Sequence, residues 1–91
     1  MMPKVWNRRD PKCPTNWIYV GRPTKWGNPF TVHHYGREGA IKRYRERLLY
    51  DRPDLVEAAR RELRGSDLIC WCAPEKCHGD ILLRIANNRM L

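Results

Sequence analysis

Three of the four cysteines and one of the three histidines of this chain fall in a single stretch, CWCAPEKCHGD, Cys70 to Asp80. Several chemistries suit those residue types. Cys70, Cys72, Cys77 and His78 are the soft thiolate and imidazole donors that zinc prefers. Structural zinc sites, however, usually set two ligands about two to four residues apart on a turn, twice over. Here the first pair would be alternate strand residues and the second pair adjacent, so the spacing argues against a metal. A Cys70–Cys72 disulfide fares worse, because alternate residues of an extended strand stand roughly twice ~3.3 Å apart. Cys72 and Cys77 can approach one another, although an intracellular chain would keep both reduced. The preferred reading of Cys70 is a small buried hydrophobe.

Cys77 and His78 differ because they open a helix, where free N–H groups and the positive dipole end lower a thiol pKa and hold an anion. Adjacent helical residues point about 100° apart, so His78 is not automatically the base of Cys77. Asp80 in the first turn either complements the dipole or serves as a general base or ribose-hydroxyl acceptor. The catalytic candidates are therefore Cys77, His78 and Asp80. Cys72 joins the ligand-binding set if its thiol reaches the site.

The second stretch with chemistry in it is GRPTKWGNPF, Gly21 to Phe30. Two glycines and two prolines without periodicity make it a loop. Trp26 and Phe30 would be costly to leave in water, so the loop is expected to fold against the body. An ordered loop rich in Arg, Lys, Trp and Asn suits ligand binding. Its candidates are Gly21, Arg22, Trp26, Gly27 and Asn28, with Arg8 nearby. His33 and His34 are expected to be surface residues.

Strands are expected at Lys4–Arg8 and Trp17–Gly21, rich in β-branched and aromatic residues. The turn chemistry of Asp10 to Asn16 suggests a hairpin or looped return between them. Ile41, Tyr44 and Leu48 share one face of a helix over Gly36–Tyr50. Pro53 starts a second helix that buries Val56, Ala59 and Leu63, and Gly65 supplies its left-handed stop. The apolar run Leu68 to Cys72 fits a central strand buried on both faces. A last helix from about Cys77 to Asn87 buries Ile81, Leu82, Ile85 and Ala86. The fold class is α/β: a small Rossmann-like sandwich, a partly parallel sheet of about three strands with three helices, in one domain over residues 1–91. In such sheets ligands sit beyond the carboxyl ends of the strands, which brings GRPTKWGNP and APEKCHGD face to face.

Lysine and arginine outnumber acids 18 to 10, for a net charge of +8 in 91 residues. That excess attracts phosphate-bearing partners. It gathers at Lys4, Arg8, Arg9 and Lys12, at Arg37, Lys42, Arg43, Arg45 and Arg47, and at Arg60, Arg61 and Arg64. On the helices it reads equally as a solvated face. No apolar h-region opens the chain and no run is long enough to span a bilayer, so a soluble cytoplasmic protein is expected, with no membrane partner.

Taken together, YVGRPTKWGNPF and DLICWCAPEKCHGDILL, with the VWNRR opening, resemble the family called domain of unknown function 4326, small domains of bacteria and many phages. The resemblance covers nearly the whole chain. It implies a phage setting compatible with nucleotide metabolism, DNA modification or interference with host defence. By fold analogy it also implies kinship with Rossmann-like nucleotide-handling domains.

The leading expectation is a nucleotide or nucleic-acid end bound between the two motif loops. Arg22 and Arg8 would neutralise phosphate, Trp26 would stack or wall the pocket, and Asn28 would bond a base or sugar edge. The N–H groups at Cys77 would seat an anion, and His78 and Asp80 would move protons. The reaction class would be a hydrolase or transferase at a glycosidic or phosphate bond. No cofactor or metal is expected. The rivals are a DNA- or RNA-binding module using the basic helices, and a phage effector that binds a host protein through tryptophans and arginines.

Overall fold

The computed structural model describes residues 4–12, 17–71 and 77–87. Its elements run β1 (Val5–Asn7), β2 (Trp17–Tyr19), α1 (Val32–Glu46), α2 (Pro53–Glu62), β3 (Asp67–Cys70) and α3 (His78–Ala86), with one π-helical turn at Arg47–Asp51 after α1. The class is mixed α/β with a three-stranded sheet. β3 is its centre, in the order β1-β3-β2, and both pairings are parallel. Of the run expected to be buried from Leu68 to Cys72, Leu68, Ile69 and Cys70 are fully buried, whereas Trp71 lies past the strand end and is half exposed, and Cys72 falls outside the described residues.

Of the hairpin or looped return expected between β1 and β2, the hairpin is not formed. Val5 pairs with Leu68 and Ile18 pairs with the same Leu68 from the other side, so the first two strands flank the third. Turn residues mark where a chain leaves a strand and carry no information about the direction in which it re-enters the sheet. The most apolar strand takes the centre because only there are both its edges paired and its side chains flanked by strands on either hand.

α1 begins at Val32, four residues before the expected Gly36. Thr31 caps it, its hydroxyl accepting from His34 N at 3.3 Å. Gly36 lies inside with φ 71° and ψ 166°, a break that only glycine takes without strain. That break is why the periodicity becomes readable only after it. α2 has Pro53 at its start and Asp54 in its first turn, and Gly65 takes φ 76° beyond its end.

The strand alternation divides the sheet into two faces. Val5, Ile18, Val20, Leu68 and Cys70 pack in one cluster with Tyr44 of α1, Leu48 of the π-helical turn, Leu55 and Ala59 of α2, Leu63 that caps it, and Leu82, Ile85 and Ala86 of α3. Trp6, Trp17, Tyr19, Ile69 and Trp71 do not belong to that cluster. α3 lies close against β1: a Cβ at Gly79 would stand 3.0 Å and 3.3 Å from the two Val5 methyls. Among the described residues no helix is long and apolar enough to cross a membrane.

Candidate functional site

A cavity of about 360 Å³ opens at the carboxyl ends of β2 and β3. That volume falls near the lower end of the ~300–1,000 Å³ range of small-molecule sites. One wall is the loop after β2, with Gly21, Arg22 and Asn28. Opposite it lie the end of β3 and the start of α3, with Cys70, Trp71, Cys77 and His78. The first turns of α1 close a third side with Thr31, Val32 and Arg37, and Tyr19 and Phe30, with Ala40 and Ile41 of α1, complete the lining.

Cys77 is the N-cap of α3. Its sulfur accepts from Gly79 N at 3.4 Å while the Asp80 carboxylate accepts from Cys77 N at 3.1 Å, a reciprocal capping box. This corrects two expectations. The Cys77 N–H, expected to seat an anion, is already committed to Asp80. Asp80 is exposed, turned to this cap, and does not line the cavity.

His78 Nε2 stands 2.7 Å from the Val20 carbonyl. A carbonyl only accepts, so Nε2 carries the proton and Nδ1 of the neutral ring keeps its lone pair. That Nδ1 lies 3.5 Å from Cys77 Sγ. Burial holds the His78 pKa below its ordinary value. The Val20 carbonyl opposes the shift, the Arg22 charge adds to it, and Asp80 opposes it. The ring packs edge-on to Tyr44 with centroids 5.0 Å apart. The result is a neutral imidazole with a fixed tautomer beside a thiol. A second thiol is close, with Cys70 Sγ 3.0 Å from Cys77 Sγ and both residues buried.

The loop residues separate into two groups. Trp26 was expected to stack on a ligand or wall the pocket, but it is buried in the core, and its carbonyl accepts from Tyr44 Oη at 2.7 Å. Burying the indole against α1 removes more apolar surface from water than standing beside an open cavity would. Burial also pushes the Tyr44 phenol pKa far up. Asn28 lines the cavity, but its amide holds the loop: Nδ2 donates to the Ala40 carbonyl at 3.2 Å and Oδ1 accepts from Phe30 N at 2.9 Å. Gly27 lies outside the lining and makes room for Arg22, since a Cβ there would stand 2.7 Å from Arg22 Cγ. Gly21 lines the cavity against the Tyr19 ring.

Arg8 does not line the cavity either; its guanidinium sits among the rings of Trp17, Tyr19 and Trp71. Cys72, together with the zinc and disulfide readings that need it, lies outside the described residues. His33 and His34 are exposed, as expected. Sequence reasoning missed Tyr19, Phe30, Thr31, Val32, Arg37 and Trp71. The signal for Tyr19 and Trp71 was present in their position at the carboxyl ends of predicted strands.

This geometry defines a small parallel α/β domain with a ligand-sized cavity at the carboxyl edge of its sheet. Residues 5–88 match the family model described as Domain of unknown function (DUF4326), and the chain belongs to that family. It is 33% identical over 73 residues, 78% of this chain and 68% of the other, to an "Uncharacterized 12.4 kDa protein in nrdA-td intergenic region" of Enterobacteria phage T4. No solved structure matches it.

Proposed function

We propose that the cavity binds a nucleotide or the end of a nucleic-acid chain. The observation that carries this reading is the lining itself: two guanidinium side chains, Arg22 and Arg37, and three rings, Tyr19, Phe30 and Trp71, around one 360 Å³ space. Guanidinium grips phosphate in a fork, and aromatic faces accept a base. Arg22 is exposed and makes no ion pair among the described residues. Cys77 and His78 give the site its chemistry: Nδ1 receives the thiol proton as the sulfur attacks the phosphorus or anomeric carbon of the ligand, and the bond from that atom to its leaving oxygen or base nitrogen breaks in return. This favours a nucleotide-processing hydrolase or transferase in which Asp80 serves as architecture.

The basic-helix reading has less support. Arg60 pairs with Glu57 at 3.1 Å, Arg64 Nε donates to the Ala86 carbonyl at 2.9 Å, and Arg43 lies over the Tyr35 ring. These side chains have structural work of their own.

Calorimetric titration with nucleoside mono-, di- and triphosphates tests the proposal. Arg22→Ala should weaken binding roughly 10- to 100-fold, the worth of a hydrogen bond to a charged group, without unfolding this exposed position. Equal affinity in the variant would rule out this cavity as the phosphate site.

A further inference from the structure

The face of the sheet turned away from the helical core carries its own pattern. Alternation places Trp6 of the first strand, Trp17 and Tyr19 of the second, and Asp67 and Ile69 of the third on that side, with Lys4 and Arg8 flanking the first strand and Trp71 following the third. The register sets Trp6, Ile69 and Tyr19 in one row and Trp17 beside Asp67. Trp71 is 51% exposed and Trp17 36% exposed.

Cations are interleaved with these rings. The Arg8 guanidinium lies 5.5 Å from the Trp17 centroid, 5.8 Å from Tyr19 and 5.7 Å from Trp71. Arg9 lies 5.4 Å from Trp71, and Lys4 Nζ lies 3.8 Å from Trp6. The platform is also held in place. Trp71 Nε1 donates to Tyr19 Oη at 3.2 Å, Tyr19 Oη donates to the Arg22 carbonyl at 3.0 Å, and Asn7 Nδ2 donates to the Trp71 carbonyl at 3.1 Å. Asp67, whose carboxylate accepts from Lys4 N at 2.9 Å, keeps its charge, but Lys4, Arg8 and Arg9 outnumber it beside these rings.

We infer that this face is a docking platform for single-stranded nucleic acid. A single strand alternates a flat base with an anionic phosphate, and the face alternates rings with cations in reach of them. Sequence-tolerant binding by stacking plus phosphate neutralisation follows from that match. A duplex hides its base faces and cannot stack. A second copy of this chain would bring the same net charge of +8 to the contact, which disfavours self-association. Tyr19 and Trp71 belong both to the platform and to the cavity lining, so a strand lying on the face leads its end toward the cavity. The platform goes beyond the cavity reading and stands without it, since Trp17 and Arg8 lie outside the cavity.

The test is fluorescence anisotropy with labelled ten-nucleotide oligo-dT and oligo-U and a duplex of equal length, over a range of salt. The single strands should bind more tightly than the duplex. Trp17→Ala should weaken them on the order of tenfold, the worth of one stacked base. Arg8→Ala should weaken them and reduce the slope of log affinity against log salt by about one. Mononucleotide affinity should be unchanged in Trp17→Ala, and circular dichroism melts confirm that both variants fold.

Oligonucleotide affinity unaltered by both substitutions overturns the platform, as does equal binding of the duplex. A dimer or a bound protein that Trp17→Ala releases, with oligonucleotide affinity intact, overturns it in favour of a protein interface. The two sites fail separately. Loss of oligonucleotide binding in Trp17→Ala without any mononucleotide binding supports the platform and removes the cavity reading, and mononucleotide binding without oligonucleotide binding does the reverse.

Discussion

Substituting Gly79 by alanine sets two effects of known size against each other. Helix propensity favours the change by up to ~1 kcal/mol. Packing opposes it, because the new Cβ would lie 3.0 Å and 3.3 Å from the methyls of Val5 and 3.6 Å from a Val20 methyl. Val5 is β-branched, so its side chain cannot rotate away cheaply, and relief requires α3 to shift from β1 by a few tenths of an ångström. Overpacking of this kind costs about 1–3 kcal/mol. The difference is a net loss of roughly 1 kcal/mol, with ~2 kcal/mol as the upper end. For a domain of this size each 1 kcal/mol moves the thermal midpoint by about 4–8 °C.

Urea unfolding and thermal melts of Gly79→Ala, Val5→Ala and the double variant measure it. Val5→Ala removes both opposing methyls, so the double variant should lose less than the sum of the singles, with a coupling of at least about 0.5 kcal/mol. A Gly79→Ala protein more stable than the wild type, with effects that add in the double variant, would refute the close approach of α3 to β1. The same shift should disturb the 2.7 Å contact between His78 and Val20, which a histidine side-chain nuclear magnetic resonance signal reports.

The buried His78 makes stability depend on pH. Its native pKa is held below 6.5 while the unfolded chain titrates near that value, so between the two the unfolded state binds the extra proton. Stability is full above about pH 6.5 and falls as pH drops below it; thermal midpoints of the wild type should decline as pH falls through that value, and His78→Gln should flatten that decline. Asp80→Ala should cost about 1 kcal/mol in urea unfolding, the usual worth of a helix cap, and leave nucleotide affinity as it is. A large affinity loss there would return Asp80 to the ligand site.

The strands and helices were legible because their local signals agree with their tertiary roles. Leu68 to Cys70 is apolar throughout and becomes the buried centre, and the face marked by Tyr44 and Leu48 packs inward. The convergence of the two motif loops followed from the rule for carboxyl ends of strands, and Gly21, Arg22, Asn28, Cys77 and His78 do line one cavity. Trp26 was misplaced because an aromatic residue in a loop carries no mark of whether it faces ligand or core. Arg37, Thr31 and Val32 were missed because Gly36 hid the true start of α1. Which side of the sheet the helices occupy is a tertiary matter, so the ring-bearing strand residues could not be told from core residues by alternation alone.

The order of the strands also governs when the molecule can come into being. Neither of the first two strands pairs with the other in the sheet; each pairs with β3, and Val5 waits for Leu68. Synthesis at roughly 5–20 residues per second therefore leaves the first two strands without partners for several seconds, with Trp6 and Trp17 in the unpaired chain. Contacts of such long sequence separation form slowly, so this sheet closes as a late event. A ribosome-bound chain ending before Asp67 would lack the sheet and the ring-bearing face together, and the cavity is closed only later, when the start of α3 brings Cys77 and His78 to its wall.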